Sequence, residues 1–185
     1  MKPTDQLRQE HKAVKLMLQI LEKMCHELES GEEKVNPNHL DQVMEFIKVF
    51  VDKCHHAKEE ELLFPAMEAA GIPRERGPIG VMLMEHDIGR NCVKNLSEAV
   101  DKYRAGDSRA SSGIVENARK YAGLLSEHIV KEDSILYPMA EAHLSEESQK
   151  KLLEGFERLE NERVGAGKHE EFHKMLSSLR DIYLA

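Results

Sequence analysis

The apolar positions of this 185-residue chain recur at alternating steps of three and four, the period of one face of an α-helix. Leu7, His11, Val14, Leu18, Leu21, Cys25 and Leu28 make such a stripe over a predicted helix at roughly 4–29, ended by Ser30-Gly31. A second helix opens at Asn36-Pro37, a capping residue followed by a proline whose missing N–H does no harm in a first turn. It carries Leu40, Met44, Ile47, Val51, His55, Glu59 and Leu62 on one face, and Pro65 is expected to stop it. The third helix runs from Gly77-Pro78 to before Gly106, with Met82, His86, Gly89, Val93, Leu96, Val100 and Tyr103 in line. The fourth runs from about Ser108 to before Pro138, with Ile114, Ala118, Tyr121, Leu125, His128, Glu132 and Ile135.

Four amphipathic helices on short connections predict an all-α fold, an up-down-up-down four-helix bundle. Ser145, with Glu146 and Glu147 behind it, starts two additional C-terminal helices, around 146–163 and 168–184. The expected division is a bundle over residues 1–143 and a helical extension over 144–185 packed on it.

Histidine and glutamate stand where these stripes should be apolar, and they do so twice. When "CHHAKEEELLFPAME" is set over "SEHIVKEDSILYPMAE" with Pro65 on Pro138, His55 falls on His128, Lys58 on Lys131 and Glu59 on Glu132. Leu63 then meets Leu136, Phe64 meets Tyr137, and His56 falls opposite Ile129. Earlier in each half, "EHKAVKLML" and "EHDIGRNCV" pair His11 with His86. The chain is thus two helical hairpins of one design, each supplying a histidine and then HxxxE.

Residues four apart on a helix lie on one face, so His55 and Glu59 can grip a common centre, as can His128 and Glu132. A buried ionised carboxylate costs several kcal/mol unless it is paired. Two such carboxylates converging with four imidazoles, and no Lys or Arg on those stripes, call for cations between them. Six ligands exceed one tetrahedral zinc site and suit two metals. Imidazole suits iron, copper, zinc or nickel, whereas an oxygen-only shell would suit magnesium or calcium. The ferritin-like alternative uses ExxH on two helices, and no ExxH lies on the paired stripes. Two divalent ions with two carboxylates leave a net charge of about +2, which invites a bridging oxide, hydroxide or added anion.

Composition excludes more than it identifies. A net charge of −8 argues against a nucleic-acid surface. No apolar run is long enough to span a bilayer, and "MKPTDQLRQEH" lacks the apolar core of a signal peptide, so a cytoplasmic protein with no membrane partner is expected. Cys25, Cys54 and Cys92 form no CxxC pair and read as reduced, mostly buried thiols.

The pattern EH, HxxxE, EH, HxxxE, with "LFP" and "LYP" closing the paired helices, resembles the hemerythrin-like, or HHE cation-binding, family over about residues 7–141. The spacing is nearest that of its bacterial iron-centre repair branch. The resemblance implies a four-helix bundle holding two non-haem iron ions, oxo- or hydroxo-bridged. It assigns His11, His55, Glu59, His86, His128 and Glu132 as ligands, with the two glutamates as bridges. Oxygen carriers of the family place a second histidine one turn after the third-helix ligand, where this chain has Arg90, and use HxxxxD on the last helix, which Asp133 would satisfy. The internal repeat favours Glu132. The implied function is binding or sensing of a small diatomic ligand, oxygen or nitric oxide, at an open iron position. The alternative is a stress-response enzyme or iron donor acting in peroxide breakdown, nitric oxide reduction or iron-centre repair.

Other residues read as ordinary or divide between two roles. His56, Glu60 and Glu61 are expected on the surface of an acidic helix. Gly89 either leaves a gap beside the metals or permits close packing. Tyr121 reads as a core aromatic near the site, and Met17, Met24, Met44, Met82 and Met84 as core filler. His169 and His173, one turn apart after the Gly165-Ala166-Gly167 hinge, make His169 a possible extra ligand or lid; the plainer reading packs Phe172, Met175, Leu176 and Leu179 on the bundle.

Overall fold

In the computed structural model, which describes residues 1–185, every regular element is helical. Helix α1 spans Pro3–Ser30 and closes on Gly31, whose φ of 65° lets its N–H turn back to the Glu27 carbonyl. Helix α2 begins at Pro37–Glu45, where the Asn36 side chain accepts from the Asn38 N–H. It continues unbroken through π-helical Phe46–His56 and Glu59–Leu63 into Phe64–Ala69, so α2 covers 37–69. Helix α3 is Pro78–Arg104. Helix α4 begins at Ala110–Lys131, passes through π-helical Glu132–Leu136 and ends with Tyr137–His143, covering 110–143. Helices α5, Glu146–Arg163, and α6, Lys168–Tyr183, complete the chain.

Pro65 and Pro138 therefore do not end their helices, contrary to the sequence expectation. An interior proline clashes with the carbonyl four residues back and cannot donate to it. In both helices the residues just ahead form a π turn, whose five-residue hydrogen bonds widen the helix and relieve that conflict. The same widening shifts the helical phase, so Ile135, expected inside, is exposed while Leu136 and Tyr137 are buried. Met84, expected in the core, also faces solvent, whereas Met17, Met24, Met44 and Met82 are buried.

The core is layered along the bundle. A large apolar cluster at one end draws Val14 and Leu21 from α1, Phe50 and Val51 from α2, Leu96 from α3 and Leu125 from α4. Phe172, Leu176, Leu179 and Tyr183 of α6 join it. A smaller cluster at the other end holds Leu7, Leu63, Phe64, Met82, Leu136 and Tyr137, with Leu152 and Phe156 of α5. On α1, α2 and α3 the polar stripe residues fall in sequence between these clusters, and on α4 Ile129 of the larger cluster sits between His128 and Glu132. The fold thus holds one polar layer between two apolar ones. No helix is long and apolar enough to cross a membrane.

Candidate metal centre

That layer gathers all six of the expected ligands. Each hairpin brings its two histidines face to face: His11 Nε2 lies 3.1 Å from His55 Nε2, and His86 Nε2 lies 3.0 Å from His128 Nε2. The carboxylates then cross between the pairs. Glu59 sets Oε1 3.9 Å from His55 Nε2 and Oε2 3.3 Å from His86 Nε2. Glu132 sets Oε2 3.0 Å from His11 Nε2 and Oε1 2.8 Å from His128 Nε2. Both carboxylates are fully buried.

Outside the six lies a matching set of acidic partners that the sequence reading missed. His55 Nδ1–H donates to Glu10 at 2.6 Å and His128 Nδ1–H to Glu85 at 3.3 Å. His11 Nδ1–H donates to Asp133 at 2.8 Å and His86 Nδ1–H to Glu60 at 2.6 Å. A carboxylate acceptor at Nδ1 fixes the ring proton there and turns the Nε2 lone pair inward, the arrangement found behind metal-bound imidazoles. Lys58 donates to Glu10, and Lys131, its repeat counterpart, to Glu85. The signal was present: Glu10 and Glu85 both precede an inward histidine, and Lys58 aligns with Lys131. Glu60, expected at the surface, is half-buried because it bonds both His86 and Arg90. Asp133 serves His11 at Nδ1 and does not enter the inward cluster.

The electrostatics of this layer ask for cations. Burial disfavours a charged His86, yet Glu132, Glu59 and Glu60 outweigh it and lift the imidazolium to about 11. His11 is lifted to about 9, with Asp133 and Glu132 likewise overcoming burial. Burial would raise Glu132, but His128, His11 and His86 drive it far below the usual carboxylate range. Protons on imidazole thus hold the place of positive charge. They fill it poorly, since Glu59 Oε2 and both Glu132 oxygens accept no properly directed hydrogen bond despite full burial. Three unpartnered oxygens of two carboxylates thus converge with the Nε2 atoms of four imidazoles, and this donor set fits metal ions.

The two ends of the layer differ. Beside His11, the Tyr137 hydroxyl donates to Glu59 Oε1 at 2.6 Å and lies 3.3 Å from His11 Nε2; burial, with Glu132 and Glu59 beside it, pushes its ionisation well above the usual phenol range. Beside His86 lies His56, expected at the surface but 6% exposed, its ring stacked on His86 at 3.9 Å. The small angular step of the π turn carries two consecutive residues, His55 and His56, inward together. His56 has one nitrogen 3.4 Å from Asp52, leaves Nε2 without a partner, and groups with Glu59, His86 and His128 within 4.8 Å. Burial beside three other imidazoles drives its ionisation well below the ordinary histidine value.

A cleft of about 410 Å³ opens on His56, His86 and His128, with Gly89 and Tyr121 on its wall. His169 is not brought to the six. It lies 3.6 Å from Cys54 Sγ and 3.6 Å from Glu160, with Phe50 against its ring, so α6 packs by its apolar face as in the plainer reading. Buried Lys58 already supplies the cation for Glu10 and Glu160 there.

Residues 2–140 match the hemerythrin HHE cation binding domain. Among curated proteins, the chain is 25% identical over 181 residues to uncharacterized proteins of Mycobacterium bovis (Mb2018) and Mycobacterium tuberculosis (Rv1995), covering 97% of this chain and 68% of each relative. No solved structure matches. With three quarters of its length inside the domain, the chain belongs to the hemerythrin HHE cation-binding family.

Proposed function

We propose that the protein would hold two iron ions, with His11 and His55 serving a first position, His86 and His128 a second, and Glu59 and Glu132 shared between them. It binds oxygen or nitric oxide reversibly at the second position. The observation that carries this is the crossing of the carboxylates: each buried glutamate has one oxygen on either histidine pair, and three of those four oxygens have no other use. When bound, the irons supply the electrons that a diatomic ligand draws on.

The chain does the rest. Glu10, Glu60, Glu85 and Asp133 hold the Nδ1 protons and aim the Nε2 atoms. Tyr137 hydrogen-bonds Glu59 beside the first position, while the cleft lined by His56, His86 and His128 borders the second. Binding free energy at such a site is shared with folding, so removing the metals destabilises the chain.

The test is anaerobic reconstitution with ferrous iron, then exposure to oxygen and, separately, to nitric oxide. Reversible spectral change without turnover supports binding or sensing. Irreversible oxidation or release of iron moves the reading to stress enzymology or iron donation. One observation favours that second reading: the cleft is far larger than a diatomic ligand needs.

A further inference from the structure

We infer that the cleft beside His56, His86 and His128 takes a small organic anion with an apolar body, of which a medium-chain carboxylate is the simplest form. The inference deepens the proposed function, since the cleft's inner wall is the second metal position.

One water occupies roughly 30 Å³, and a diatomic ligand is of that order. The cleft, at about 410 Å³, falls within the range that holds small organic ligands. The internal repeat shows where the room comes from. Aligning His11 with His86 puts Val14 opposite Gly89; Val14 is buried in the core, whereas Gly89 has no side chain and lies on the wall of the cleft. A Cβ on Gly89 would meet only Leu124 at 3.7 Å and Tyr121 at 3.8 Å.

Val51, Val93, Leu124 and Leu125 make the walls apolar. Tyr121 borders the cleft with a buried hydroxyl that has no partner in the protein, and the His56 Nε2 is likewise unpartnered. The charged groups of the lining do not cancel. Asp52 is engaged by Arg90 at 2.9 Å and by His56, and Glu85 by Lys131 and His128. Lys48, Lys53 and Lys94 are exposed and make no ion pair, Lys48 bonding only the Ser97 hydroxyl at 2.7 Å. Three uncompensated lysines at one mouth, on a chain of net charge −8, select an anionic head; their flexible stems let the ammonium groups close over it. The apolar body then lies along the walls beside His86.

The test titrates iron-loaded protein calorimetrically with octanoate, 1-octanol and acetate, with iron content measured on the same sample. Octanoate should bind once per chain, and octanol and acetate at least about ten-fold more weakly. Gly89→Val should weaken octanoate by about ten-fold or more while two irons remain, with Gly89→Ala as the milder version should valine unfold the helix. Lys48→Ala with Lys94→Ala should bring octanoate down to the level of octanol. Octanol binding as tightly as octanoate, octanoate binding unmoved by filling Gly89, or no octanoate binding at all would overturn the inference. Octanoate binding that depends on Gly89 in a protein that takes up no iron would instead sink the metal reading and leave this one standing.

Discussion

Helices α1 and α2, and helices α3 and α4, are two versions of one hairpin, and their differences say more than their likeness. Both give the same inward groups and the same backing: an acid before the first histidine, a lysine on that acid, and an acid after the inward glutamate. Three of their differences bear on the polar layer and its cleft. Tyr137 stands where the first hairpin has Phe64, His56 where the second has Ile129, and Gly89 where the first has Val14. Tyr137 acts on the His11 end, whereas His56 and Gly89 both act on the His86 end. A duplicated frame of inward groups is thus unequal at three positions, one end hydrogen-bonded by Tyr137, the other bordered by a cleft. Reactivity is expected at the cleft end for that reason.

Breaking the frame should have the largest effect. Glu132→Ala removes a carboxylate common to both positions; iron should fall from two per chain to fewer than one. Stability should drop by about 3–5 kcal/mol, the cost of leaving buried charge uncompensated, or roughly 10 °C in a thermal scan.

Next comes a contrast between the paired lysines. Lys58 is fully buried between Glu10 and Glu160, so Lys58→Met should also cost about 3–5 kcal/mol in denaturant unfolding. Lys131 is 40% exposed at its side chain, and Lys131→Met should cost about 1 kcal/mol or less. Equal losses would mean that the hairpins are energetically alike. Tyr137→Phe makes the second hairpin match the first. It should cost about 1–3 kcal/mol by removing a buried hydrogen bond to Glu59, with two irons retained on elemental analysis.

The smallest effect concerns acid. Glu141 is partly buried, which alone would raise its carboxyl, but Arg8, Thr4 and Lys2 overcome this and hold it at about 2. A depressed carboxylate stabilises the fold above its ordinary value of 4.5, and that contribution disappears as pH falls from there toward about 2. Glu141→Gln should therefore cost about 1 kcal/mol at neutral pH and almost nothing near pH 2, read from unfolding midpoints at the two pH values.

Most of the frame was legible in the sequence because its signals are local. Proline at Pro37 and Pro78 starts helices, the three-four period sets their inner faces, and the repeat singles out the six inward groups. What stayed hidden depends on the π turns, which have no simple residue code. They carry α2 and α4 past Pro65 and Pro138, turn His56 inward beside His55 and push Ile135 outward. The place of His169 was hidden for a different reason. Lys58, which aligns with Lys131 in the repeat, meets Glu160 of α5 only in three dimensions.

The most direct test of the central claim is an anaerobic titration of the metal-free protein with ferrous iron, comparing the native chain with Glu59→Ala and Glu132→Ala. Two irons per chain are expected in the native protein, with loss from both positions in either variant, since each carboxylate is proposed to serve both. A native chain that takes up a single iron, or variants that each keep two, would contradict it.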